Sequence, residues 1–221
     1  AFFISLTLPA LYVAVTTFHQ EMLPTPLVMS IAAQREGIPF PAVVEALLME
    51  FVFETLREAG IRLPRVVGQA VSIIGALVVG DAAIRAGLAS PAMVMVVAFT
   101  GIASFATPVF SLAVAARLLR FVMTVLGGAL GLFGVAMGMF ALLTHLTCLR
   151  SFGVPYLEPL APLVLSDLKD ALVRVPWWAM GRRPEFTGKK APMRQAPGLK
   201  PRPPSPEREE VHRLLDTEGV R

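Results

Sequence analysis

Apolar residues run along this chain in long blocks rather than in short alternations. Residues 66–80, 86–116 and 121–144 contain no Asp, Glu, Lys or Arg, and the last two runs exceed the roughly 18–20 apolar residues that cross a bilayer. Residues 1–18, AFFISLTLPALYVAVTTF, are equally uncharged. The pattern predicts four spanning helices, at 1–18, 66–87, 91–115 and 119–147, within a transmembrane domain covering 1–150. Pro91 in LASPAM is set to open the third of them.

Residues 19–65 break the blocks. LVMSIAAQ is too short to cross and suits a re-entrant or interfacial segment. After Pro41, AVVEALLMEFVFETLREAG reads as an amphipathic helix with Glu50, Glu54 and Glu58 at i, i+4 and i+8. These glutamates form either a solvated stripe on a membrane-surface helix or a cation-attracting face at a pore mouth. A fifth crossing would put three carboxylates in lipid, at high cost.

Within the predicted spans, small and hydroxylated residues fall on stripes. Thr100, Ser104, Thr107 and Ser111 lie within about 60° on a helical wheel, as do Gly127, Gly131, Gly134 and Gly138. Each interior glycine costs a water-exposed helix about 1 kcal/mol relative to alanine, so something must press on that face or pass along it. Close helix packing is one reading, since small residues let backbones approach in lipid. A permeation path is the other. Arg120 and His145 cap the glycine stripe, about 37 Å apart on one continuous helix. On the second span, Gly68, Ser72, Gly75 and Ala83 form a small-residue face. Asp81 and Arg85, at i, i+4, are spaced to pair.

Composition agrees with a membrane protein: 55% of the 221 residues are hydrophobic and 16% charged, against about a quarter charged in a soluble domain. The expected fold class is an all-α integral membrane protein. It has four transmembrane helices, the interfacial helical region 19–65, a juxtamembrane amphipathic segment at 151–180 and a basic, Pro-rich disordered tail at 181–221. Trp177 and Trp178 suit the headgroup level. Between 181 and 206 the tail has seven Lys or Arg against one acid. Positive-inside reasoning puts it in the cytoplasm, near anionic lipid rather than nucleic acid. Arg117 and Arg120 then fall on the outer side, which a polar mouth or an odd span count would explain. The chain opens on Ala, as expected of a piece of a longer protein.

No enzyme signature is present: no P-loop, no GxSxG, no HExxH. Cys148 is the sole cysteine and His19, His145 and His212 lack ligand spacing, so neither a metal site nor a cofactor is expected.

Several strings, FHQEMLPTPL, AAQREGIPFPAVVEALLMEF, GQAVSIIGALVVGDAA, SPAMVMVVAFTGIASFATP and RSFGVPYLEPLAP, resemble the membrane domain of the GerA spore germination family, A subunit, over residues 1–180. The resemblance implies a subunit of a nutrient germinant receptor in the inner membrane of a bacterial spore. Its partners would be a second integral membrane subunit and a lipoprotein. The A subunit would oligomerise into a ligand-gated cation channel, and a soluble domain would precede the membrane part. On that reading Thr100, Ser104, Thr107 and Ser111 line the wet side, the four glycines pack behind them, and Glu50, Glu54 and Glu58 gather cations. A non-conducting scaffold and a secondary transporter remain as alternatives; Pro108, which breaks a helix, favours the second, and the lack of an internal repeat counts against it.

Overall fold

The computed structural model describes residues 1–64, 75–107, 109–171, 174–185, 192–196 and 199–201. The chain forms two compact units, Ala1–Leu142 and Leu143–Arg221, and is predominantly helical. In the first unit, α1 spans Phe2–Phe18 with Pro9 inside it, and a 3-10 turn, Gln20–Met22, follows. The region expected to be interfacial, 19–65, contains α2 (Thr25–Arg35) and α3 (Ala42–Arg62). A π-helical turn, Gly75–Val79, runs into the short α4 (Gly80–Arg85). Then come α5 (Pro91–Phe105) and α6 (Phe110–Cys148).

Local chemistry sets the start of α5. Ser90 is its N-cap, its Oγ accepting from Met93 N at 3.2 Å, and Pro91 fills the first turn, where its missing N–H costs nothing. Two apolar clusters hold the unit. One joins Val13 of α1, Ala46 and Met49 of α3, Ala83 of α4, and Met93 and Val97 of α5. The other joins Leu6, Ala10 and Ala14 of α1 to Met123 and Val135 of α6.

Two spans differ from the sequence expectation. The helix expected over 91–115 ends at Phe105, and a new one begins at Phe110; Pro108 itself lies outside the described residues. The helix expected over 119–147 is part of α6, but Gly131 within it has φ 64° and ψ −147°, outside the helical region. Side chains have almost no access to that conformation. The chain turns back there: Gly134 lies against the Leu126 carbonyl and Gly138 against Met123 Sδ. One rod from Arg120 to His145 is therefore replaced by two helical arms.

By length and composition, Ser111–Cys148 is the stretch suited to crossing a membrane among the described residues; α1 and α5 are apolar but shorter. Four spans are not reproduced. Most of the expected span at 66–87, with Gly68 and Ser72, lies outside the described residues.

In the second unit the end of α6 leads into a hairpin, β1 (Arg150–Ser151) antiparallel to β2 (Val154–Pro155). A single helical turn, α7 (Leu168–Ala171), and a 3-10 turn, Trp177–Ala179, follow. Within the expected juxtamembrane segment 151–180, these two turns are the helical parts among the described residues. Part of the tail is paired rather than free: Arg182 bridges Met193, Arg183 N donates to the Pro192 carbonyl at 2.9 Å, and Arg194 N donates to the Gly181 carbonyl at 3.0 Å. Residues 202–221 lie outside the described residues.

Candidate functional site: a buried polar seam between helices

Helix α3 turns three of its four acidic residues, Glu45, Glu50 and Glu54, into the first unit. Glu45 and Glu50 are fully buried. Glu45 Oε1 accepts from both Ser90 N and Ser90 Oγ at 2.6 Å, tying α3 to the N-terminus of α5. Its Oε2 lies 3.5 Å from Arg35 Nε of α2.

One turn further along α3, Glu50 meets α6. Its Oε2 is 3.6 Å from Arg120 Nε, and its Oε1 accepts from Thr124 Oγ1 at 3.2 Å. The two charged side chains are 0% and 1% exposed, which makes this a buried ion pair. Glu54 pairs with Arg117 in the next turn. The contacts run in opposite chain directions: Glu50 and Glu54, four apart, meet Arg120 and Arg117, three apart.

Arg57 closes the row on the α5 side. Its Nη2 donates to Ser104 Oγ at 2.5 Å and to the Gly101 carbonyl at 3.3 Å. Its guanidinium sits 5.1 Å from the Phe53 ring centre and 4.6 Å from that of Phe105. Charged groups among apolar helices are held by such pairing, because each unpaired charge would carry its whole desolvation cost.

The sequence-predicted residues divide between this seam and other places. Thr100 and Ser104 are buried, Thr100 donating to the Val96 carbonyl at 2.7 Å and Ser104 to the Gly101 carbonyl at 2.6 Å. Thr107 is half-buried beyond the end of α5, and its Oγ1 has no hydrogen-bond partner among the described residues. Ser111 is exposed at the start of α6, so the hydroxyl row does not continue on one helix. Glu50 and Glu54 are paired with arginines rather than solvated. Glu58 is half exposed and pairs with Arg62.

The glycines line an inner face of α6. A Cβ on Gly127 would stand 2.6 Å from the Ala10 carbonyl oxygen, and one on Gly131 would stand 2.8 Å from His19 Cε1. Asp81 and Arg85 pair as their spacing predicts, at 2.8 Å on the surface.

Sequence reasoning missed the seam itself. The signal was present: two carboxylates a turn apart on one helix, two arginines about a turn apart on another, both inside apolar surroundings.

Comparison with known proteins matches residues 1–186 to the family described as Bacillus/Clostridium GerA spore germination protein. The chain is 60% identical to Spore germination protein KA of Bacillus subtilis (strain 168), over 91% of this chain and 37% of that protein. It is 54% identical to the Uncharacterized membrane protein YfkQ of the same organism, over 82% of this chain and 36% of that protein. With Spore germination protein GerLA of Bacillus cereus it shares 44% identity, over 83% of this chain and 37% of that protein. The chain thus spans a little over a third of the length of these relatives. No solved structure matches it.

Proposed function

This chain belongs to the GerA family of spore germination proteins, and from that premise we propose that it is the membrane part of a germinant-receptor subunit. It forms, with further copies of itself, a ligand-gated cation channel in the inner spore membrane. Its partners are a second integral membrane subunit and a lipoprotein. The chain crosses the membrane several times, and its basic tail lies in the cytoplasm beside anionic lipid. The reading needs no catalysis and no nucleic acid.

The observation that carries it is the Glu50–Arg120 pair, buried at 0% and 1% exposure, whose arginine lies in a stretch apolar enough to cross a membrane. Ionisable residues at such depth are costly and mark ion or substrate pathways by default. In the state described, Arg120 and Arg117 neutralise Glu50 and Glu54, and the seam is closed. Opening frees these carboxylates to attract cations, with Glu58 at the exposed end. Thr100 and Ser104, joined by Thr107 and Ser111, then supply oxygens in place of part of an ion's hydration shell. Gly127, Gly131, Gly134 and Gly138 let the helices approach and slide.

The test is potassium release from liposomes containing the chain, after cross-linking of the same preparation establishes an oligomer. Ser104→Val/Thr107→Val lowers release without loss of assembly, and Arg120→Gln raises it. An assembled oligomer that stays tight in all three forms sinks the channel and favours a scaffold. Saturable, substrate-coupled uptake favours a transporter.

A further inference from the structure

In the second unit a cavity of about 290 Å³ opens between the turn at 166–169 and the paired tail segments around 180–184 and 194. Three cations, Lys169, Arg182 and Arg194, stand on its lining with one carboxylate, Asp167. Antiparallel pairing across Arg182 and Met193 brings the two arginines to one site although they are twelve residues apart. Asp167 is already engaged: Oδ1 accepts from Ser166 Oγ and Oδ2 from Glu185 N, both at 2.8 Å. Among the described residues no ion pair links it to any of the three cations.

Beyond the lining, Arg194 carries its guanidinium to 4.5 Å from the ring centre of Trp177, which is 62% exposed, and Leu163 and Leu165, just before the turn in sequence, are largely exposed. Like-charged side chains with no ion-pair partner among the described residues favour a multiply oxygenated anion, and guanidinium groups match phosphate by paired N–H donors. Exposed leucines and an exposed tryptophan within one short segment favour the level of lipid headgroups over bulk water.

We propose that this cavity binds the phosphate of an anionic phospholipid headgroup. The inference rests on the reading of the tail as lying beside anionic lipid, and narrows it from a diffuse attraction to a site. Lys169, Arg182 and Arg194 bind the phosphate oxygens, while Trp177 and the two leucines meet the glycerol and upper acyl region. The seam of the first unit is not involved.

Trp177 and Trp178 are the two tryptophans of the chain, so intrinsic fluorescence reports on this site. The detergent-solubilised chain is titrated with dihexanoyl phosphatidylglycerol. Arg182→Gln/Arg194→Gln raises the half-saturating concentration at least tenfold, and Lys169→Gln, at an exposed position, raises it at least threefold. Arg150→Gln/Arg174→Gln, which removes equal charge outside the cavity, leaves it within twofold. Equal losses in the two double variants would overturn the site and leave a diffuse attraction. Saturation by inorganic phosphate over the same concentrations would overturn the lipid assignment. No response to phosphatidylglycerol would overturn both the site and the lipid reading of the tail, whatever the ion-release experiment gives.

Discussion

Glu50 and Arg120 belong together because neither is tolerable alone when fully buried. Removing one partner of a buried pair leaves an uncompensated charge and costs about 3–5 kcal/mol, whereas replacing both by apolar groups of similar volume is often neutral or stabilising. Arg120→Met and Glu50→Leu are each expected to lower stability by that order, and Glu50→Leu/Arg120→Met to recover most of it. Unfolding in detergent micelles measures this; additive losses in the double variant would mean that the two side chains do not act as a pair. Asp81 and Arg85 offer the contrast, since that exposed i, i+4 pair at 2.8 Å is worth only about 0.3–0.5 kcal/mol. It was legible in the sequence because both partners sit on one helix. Glu50 and Arg120 are seventy positions apart, and their spacing acquires meaning only once α3 and α6 are packed.

At the scale of elements, the informative position is Gly131. The sequence marks four glycines at helical spacing, and that pattern is equally consistent with a straight packing face and with a turn. What decides is a single backbone conformation, φ 64° with ψ −147°, which composition does not encode. Gly131→Ala is expected to cost about 1–3 kcal/mol through that conformation alone, with crowding against His19 added. A cross-link separates the two geometries more directly. In a continuous helix, positions 123 and 138 would lie about 22 Å apart, whereas a Cβ at 138 stands 2.6 Å from Met123 Sδ here. With Cys148→Ser as background, Met123→Cys/Gly138→Cys is expected to form an intramolecular disulfide on mild oxidation. Its failure to form in monomer would restore the straight helix. The start of α5, by contrast, was legible, because Ser90 and Pro91 are a local capping signal that needs no tertiary partner.

Taken whole, the first unit buries several charged and hydroxylated side chains, Glu45, Glu50, Thr100, Arg120 and Thr124 among them, and turns many large apolar side chains outward. On α5, Met95 is 73%, Phe99 52% and Ile102 66% exposed, and on α6 Leu118 is 69% and Val122 54% exposed. This inversion is what a lipid solvent selects: burying charge there costs less than exposing it, at about 2.5–3.5 kcal/mol per charged residue at mid-bilayer. The uncharged blocks made a membrane protein legible, but not the number of crossings, because periodicity carries no information about where a helix stops and folds back. Accessibility distinguishes an outward face in lipid from one lining water. In vesicles loaded with a membrane-impermeant maleimide and also bathed in it, native Cys148, exposed at the end of α6, is expected to react. Ile102→Cys, in a Cys148→Ser background, is expected to react at least tenfold more slowly until the bilayer is dissolved. Equal rates would make the outer face of α5 the wet one, and the proposed conduction path would then be moved to Phe99 and Ile102, away from the seam of Glu50 and Arg120.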